Sequence, residues 1–149
     1  MRWAIVIALL LGGTANAHAQ DGATIYTRCS VCHLQSGKGV PGAFPPLGAD
    51  VHALATSVAG RRYLALVPFR GLAGPLTVSG ATYRGVMPAQ TGLDDAAIAK
   101  VLNHILGAIA VGSTPVAQFT TMEVAAARLS AATLTPAELA RSHGDIGAK

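Results

Sequence analysis

Large rings are scarce in this sequence, with one tryptophan, three tyrosines and three phenylalanines in 149 residues. A domain so poor in aromatics has little bulk with which to fill a core, and a large apolar prosthetic group would supply what is missing. Charge is scarce as well, at 12%. Once Arg2 is set aside with the leader described below, ten basic residues face seven acidic ones, too mild an excess for a nucleic-acid-binding surface. Long hydrophobic runs are missing: the apolar stretch from Trp3 to Leu11 falls well short of the roughly 18 residues that span a bilayer, and nothing after it resembles a membrane segment. No internal repeat and no low-complexity tract interrupts the chain.

What the first residues do contain is one arginine, that short apolar run, and small residues ending in two overlapping A-x-A sites, Ala15-Asn16-Ala17 and Ala17-His18-Ala19. This is the pattern of a secretory signal peptide, assigned here to residues 1–19. The remainder, about 130 residues, is sized for one exported, soluble domain without stable membrane insertion.

Helical segments alternate with Gly/Pro-rich loops. Asp21 can cap a short helix that runs through Ile25 and Tyr26 into Cys29 and Cys32. Residues 35–48 are too rich in glycine and proline for a regular element. A second helix is expected from Ser57 to Val67, ended or kinked by Pro68. Residues 71–92 read as irregular chain or a small hairpin, with Gly80 at a turn between Thr77-Val78 and Thr82-Tyr83. Asp94 caps the clearest helix, whose Ile98, Val101, Leu102, Ile105 and Leu106 share one face, and Gly107 is its expected stop. Two further helices are expected over 121–131 and 136–143, the second opened by Thr135-Pro136 with Glu138 in capping-box position.

The only two cysteines stand in Cys29-Ser30-Val31-Cys32-His33. Four chemistries use such a spacing. A thioredoxin-like redox pair requires a preceding strand and a βαβ context, whereas a helix precedes this one. Zinc requires four ligands, and the other histidines offer no paired spacing. A structural disulfide would close too small a loop to stabilise much. Covalent haem attachment suits the chain best: two residues three apart on a helix share a side, so both thiols can reach the two vinyl groups of one porphyrin while the next residue offers its imidazole to the iron.

With those residues in view, the chain resembles a small class I cytochrome c from Gly22 to about Gly107. The likeness is carried by GATIYTRCSVCH, by GKGVPGAFPPLG, and by GLAGPLTVSGATYRGVMPAQTGLDDAAIAKVLNHIL. It implies an all-α fold of helices wrapped around one haem c, covalently bound through Cys29 and Cys32; the C-terminal helical extension lies beyond the likeness and is read from the two further helices alone. It also implies His33 and Met87 as axial ligands, the Pro45 carbonyl as partner of the other ring nitrogen of His33, and Leu47 against the porphyrin. Within the family the chain is similar to cytochromes that serve periplasmic dehydrogenases and oxidases.

Around these residues, Val40, Phe44, Leu47, Leu64, Leu76 and Val86 are candidates for the apolar wall. Arg61, Arg62, Arg70 and Arg84 are candidates to lie near the haem propionates, and Tyr83 could donate to a propionate or to the ligand sulfur. Met122 is expected to pack, His52 to be solvent-exposed, and His104 to pack between helices near Gly22 and Tyr26. His143, in the tail, carries no signal.

The organisation expected is therefore residues 1–19 as signal peptide, 20–107 as cytochrome domain and 108–149 as helical extension, its apolar faces directed at the domain's own body or, alternatively, at a partner's surface. The function expected is one-electron transfer in the periplasm, from a dehydrogenase or respiratory donor to an oxidase or other acceptor, and not catalysis. The alternatives are an accessory subunit of such a complex, or a haem enzyme or gas-binding protein with an open iron site.

Overall fold

The computed structural model describes residues 21–147, so the expected signal peptide lies outside the described residues. Among the described residues, six helices and four short strands follow one another: α1 (Gly22–His33), α2 (Ala49–Ala55), α3 (Val58–Arg70), β1 (Leu72–Ala73), β2 (Leu76–Val78), β3 (Ala81–Tyr83), β4 (Val86–Met87), α4 (Asp95–Ala108), α5 (Thr121–Leu129) and α6 (Pro136–Gly147). None of these helices is long and apolar enough to cross a membrane. The expected all-α class holds, with strands confined to two small ribbons.

In the first turn of most helices one of the free N–H groups is satisfied by a side-chain oxygen three residues earlier. Asp21 accepts from Thr24 N–H, Ser57 from Gly60, Asp94 from Ala97 and Thr120 from Glu123. The Thr135/Glu138 box forms in both directions, at 2.9 Å and 3.2 Å. Pro68 neither ends nor breaks α3, which runs on to Arg70. Being in the last turn, it removes a single helical hydrogen bond, while its own carbonyl accepts from Gln90 N–H at 2.7 Å. The helix stops instead at Gly71, whose φ is +73°. Helix α2 was not expected: it is seven residues long, its N-cap Gly48 offers no side chain, and only Val51, Leu54 and Ala55 are buried. The clearest helix ends at Ala108, one residue past the expected stop.

The core begins where α1 crosses α4. A Cβ on Gly22 would strike the Lys100 carbonyl oxygen, so the absence of a side chain there permits the approach. Ile25 and Tyr26 on α1 then meet the buried face of α4, Ile98, Val101, Leu102 and Ile105. Chain beyond α4 belongs to the same core, as Phe119, Val124 and Leu139 are all buried. In β2–β3, Leu76 pairs with Tyr83 and Val78 with Ala81, across a turn in which Ser79 and Gly80 both have positive φ. In β1–β4, Leu72 pairs with Met87 and Ala73 with Val86.

Candidate haem site

The last turn of α1 carries Cys29, Cys32 and His33 to one side of a cavity of about 350 Å³. Other elements supply the remaining walls: Phe44 and Pro45 from the loop after α1, Leu72 and Leu76 from β1 and β2, Tyr83 from β3, and Val86 and Met87 from β4. Both thiols are free and half-buried, and burial pushes the Cys29 thiol up.

His33 is buried and held by its surroundings. Its Nδ1 lies 2.8 Å from the Pro45 carbonyl oxygen. A carbonyl can only accept, so Nδ1 carries the proton and Nε2 the lone pair. Burial pulls the imidazole below the ordinary histidine range against the opposing pull of that hydrogen bond, which favours the neutral ring a metal requires. The loop that delivers Pro45 is fastened by Gly39 N–H to His33 O at 3.0 Å and by Leu47 N–H to Gly37 O at 2.8 Å.

Met87 reaches the cavity from the β1–β4 ribbon. Behind it, a Cβ on Gly71 would collide with the Met87 carbonyl oxygen and lie 2.8 Å from Ala89 N, so β1 and β4 close up only because residue 71 is glycine. Gln90 ties the far side of this turn, its amide donating to Pro88 O at 2.8 Å.

A slot with mostly apolar walls, two thiols and a neutral imidazole from one helix turn, and a thioether from another element fits a flat apolar group anchored by covalent bonds. Among the described residues, no three His, Cys, Asp or Glu side chains converge as they would around a bare metal ion. The cytochrome c family model matches residues 19–108. The chain belongs to the cytochrome c family. With one C-x-x-C-H motif in a helical fold, it is a class I, monohaem member, and that family implies haem c.

Two relatives extend the likeness past the family match. A cytochrome c-552 of Thermus thermophilus is 43% identical over 153 residues, covering 100% of this chain and 100% of the relative. A second Thermus thermophilus cytochrome c-552 is 43% identical over 133 residues, covering 87% of this chain and 98% of its own.

Of the residues singled out in the sequence, Cys29, Cys32, His33, Pro45, Tyr83 and Met87 all line the cavity of this cytochrome, as do Phe44, Leu76 and Val86. Leu47, Leu64 and Val40 do not. Leu47 packs half-buried on the core, Leu64 is buried in α3, and Val40 bridges to Phe44 on the surface of the loop.

The arginines depart furthest from expectation. Arg61 binds Glu123 and the Ala117 and Gln118 carbonyls, Arg62 binds Ser130, and Arg70 donates to the carbonyls of Ala131 and Ala132 at 2.6 Å each. All three lie on α3 and hold the tail, and Arg84 is exposed outside the cavity lining. The arginine that does line the cavity is Arg28, adjacent to Cys29, with Nη1 3.4 Å from Thr91 O. Its position beside the motif was the available signal.

His104 packs on Tyr26 as expected, ring centroids 5.3 Å apart. His52 is half-buried and bonded to Thr114 O at 2.9 Å, not free in solvent. His143 is buried, 2.9 Å from Asp50 and edge-on to Tyr63, so the tail histidine has a packing role that the sequence did not signal. Met122, expected to pack, is 81% exposed.

Proposed function

We propose that this cytochrome is an exported one-electron carrier, its single haem c attached through Cys29 and Cys32 and ligated by His33 and Met87. The observation that carries the reading is the His33–Pro45 hydrogen bond beside a cavity that Met87 also lines. When bound, haem c supplies an iron that alternates between Fe(II) and Fe(III) as one electron arrives or leaves.

The chain's own groups would set the terms of that exchange. Cys29 and Cys32 fix the orientation of the group relative to α1. The Pro45 carbonyl holds His33 in the tautomer whose Nε2 can ligate and makes it a stronger donor. A thioether from Met87 would favour the reduced state, raise the potential and take the place that a small molecule would otherwise occupy. Val31 and Val86 are cavity-lining residues that are 79% and 70% exposed, so the apolar wall reaches the surface, where a redox partner could approach closely.

Electrons would come from a dehydrogenase or respiratory donor and leave to an oxidase or other acceptor. The leader-like residues 1–19 support a periplasmic location. The division into a carrier domain over 20–107 and an extension over 108–149 is part of the same reading.

A redox titration of the purified protein followed by visible absorption tests it. A single transition with a one-electron slope is expected, with no change in the reduced spectrum under carbon monoxide. Ready binding of carbon monoxide by the reduced wild type would reject the carrier in favour of a protein with an open iron site.

A further inference from the structure

The residue after His33 has a backbone conformation that belongs almost entirely to glycine. Leu34 closes α1 with φ 63° and ψ 161°, a region where a side chain crowds its own backbone and which persists only if the surroundings over-determine it. Three hydrogen bonds do so. Leu34 N–H donates to Ser30 O at 2.9 Å, and the Leu34 carbonyl accepts from Gly37 N–H at 3.1 Å and from the Tyr26 hydroxyl at 2.8 Å.

Two of these belong to the turn itself. The third comes from outside it: Tyr26 lies two helical turns earlier on α1, is buried, and has its ring against His104 of α4. One hydroxyl thus connects the α1–α4 crossing to the peptide that follows His33. The same turn passes through Gly37, whose carbonyl fastens Leu47, and Gly39, whose N–H fastens the His33 carbonyl. Those bonds locate the loop from which Pro45 meets His33 Nδ1.

The geometry points to Tyr26 as a positioning residue for His33: its hydroxyl holds Leu34 in the glycine-like conformation on which the length and direction of the His33–Pro45 hydrogen bond depend. This rests on His33 being the iron ligand, as proposed above. By sequence alone Tyr26 is a helix-packing residue, and its packing against α4 is what makes the hydroxyl a fixed point.

The test is a double-mutant cycle of Tyr26→Phe and Leu34→Gly on the haem-loaded protein, read by midpoint potential and by the ferric electron paramagnetic resonance spectrum. Tyr26→Phe keeps the ring on His104 and removes only the hydroxyl. A slackened Nδ1–H···O bond makes the imidazole a poorer donor to ferric iron, so the potential should rise and the ferric spectrum should shift. Leu34→Gly removes the strain and with it the need for the hydroxyl. Adding Tyr26→Phe to Leu34→Gly should therefore move neither reading.

Unchanged potential and spectrum in Tyr26→Phe would overturn the inference. So would equal shifts in both backgrounds, because lost packing alone would be additive. Failure of the ligand assignment looks different: wild-type protein would then lack the low-spin histidine–methionine ferric spectrum before any variant was compared.

Discussion

Arg61 of α3 forks onto both carboxylate oxygens of Glu123 in α5, Nε to Oε1 at 2.6 Å and Nη2 to Oε2 at 2.7 Å. Its guanidinium also lies over the Phe119 ring, 4.1 Å from the centroid. A bidentate, partly shielded pair of this kind holds the tail to the body with a defined geometry.

The Arg61 hydrogen bond is the main cause holding the Glu123 carboxyl below its ordinary value of 4.5, against the opposing effect of burial. A carboxylate whose folded value is depressed contributes stability above its unfolded value and loses it as pH falls through the folded one. Glu123→Gln should therefore cost about 1 kcal/mol at neutral pH and much less in acid below that window. Urea unfolding at the two pH values measures this; an equal loss at both would show that the charge contributes nothing.

Phe119, Val124 and Leu139 are buried in the same core as α1, α3 and α4. Truncation after Gly107 should lower the melting temperature of the isolated protein substantially. Phe119→Ala alone should cost roughly 3–5 kcal/mol, as for other buried aromatics. If the truncated protein melted as the full chain does, the extension would have to serve a partner and not this fold.

Gly22→Ala places a methyl group against the backbone carbonyl of Lys100 and 2.8 Å from the Cβ of His104. Neither atom is the free end of a flexible chain, so α1 must shift, at about 1–3 kcal/mol. Chemical denaturation of the haem-loaded protein would detect the loss. A neutral or stabilising Gly22→Ala would mean that the helices do not cross this closely.

Three of the helix N-caps, the turn at Gly80 and the α4 face were legible because each is a local signal of a few residues. That the thiols, His33, Pro45 and Met87 would meet around one cavity was legible through one motif and a family likeness. The arginines were not, because positive charge in sequence does not say which acceptor it will meet. Arg61, Arg62 and Arg70 find theirs 62, 68 and 61 residues away, in a tail whose path no local pattern fixes. His143 and Asp50 lie 93 residues apart and were invisible for the same reason. Helix α2 escaped because it is too short for a period and lacks a side-chain cap.

Covalent attachment makes a separate prediction. Cys29→Ser combined with Cys32→Ser should abolish haem colour on a denaturing gel, and the protein should be largely unfolded, since its few aromatics cannot fill the cavity. Haem that stayed with the double variant through denaturation would contradict attachment at these thiols.

Under the proposed function Met87 would hold the iron together with His33, both of which line the cavity. The measurement that bears on it most directly is the near-infrared spectrum of the ferric protein, where an iron–thioether bond gives a weak charge-transfer band. Wild type should show that band and Met87→Ala should lose it while becoming able to bind carbon monoxide when reduced, with Met122→Ala unchanged in both respects. A band that survives in Met87→Ala, or disappears in Met122→Ala, would contradict the account.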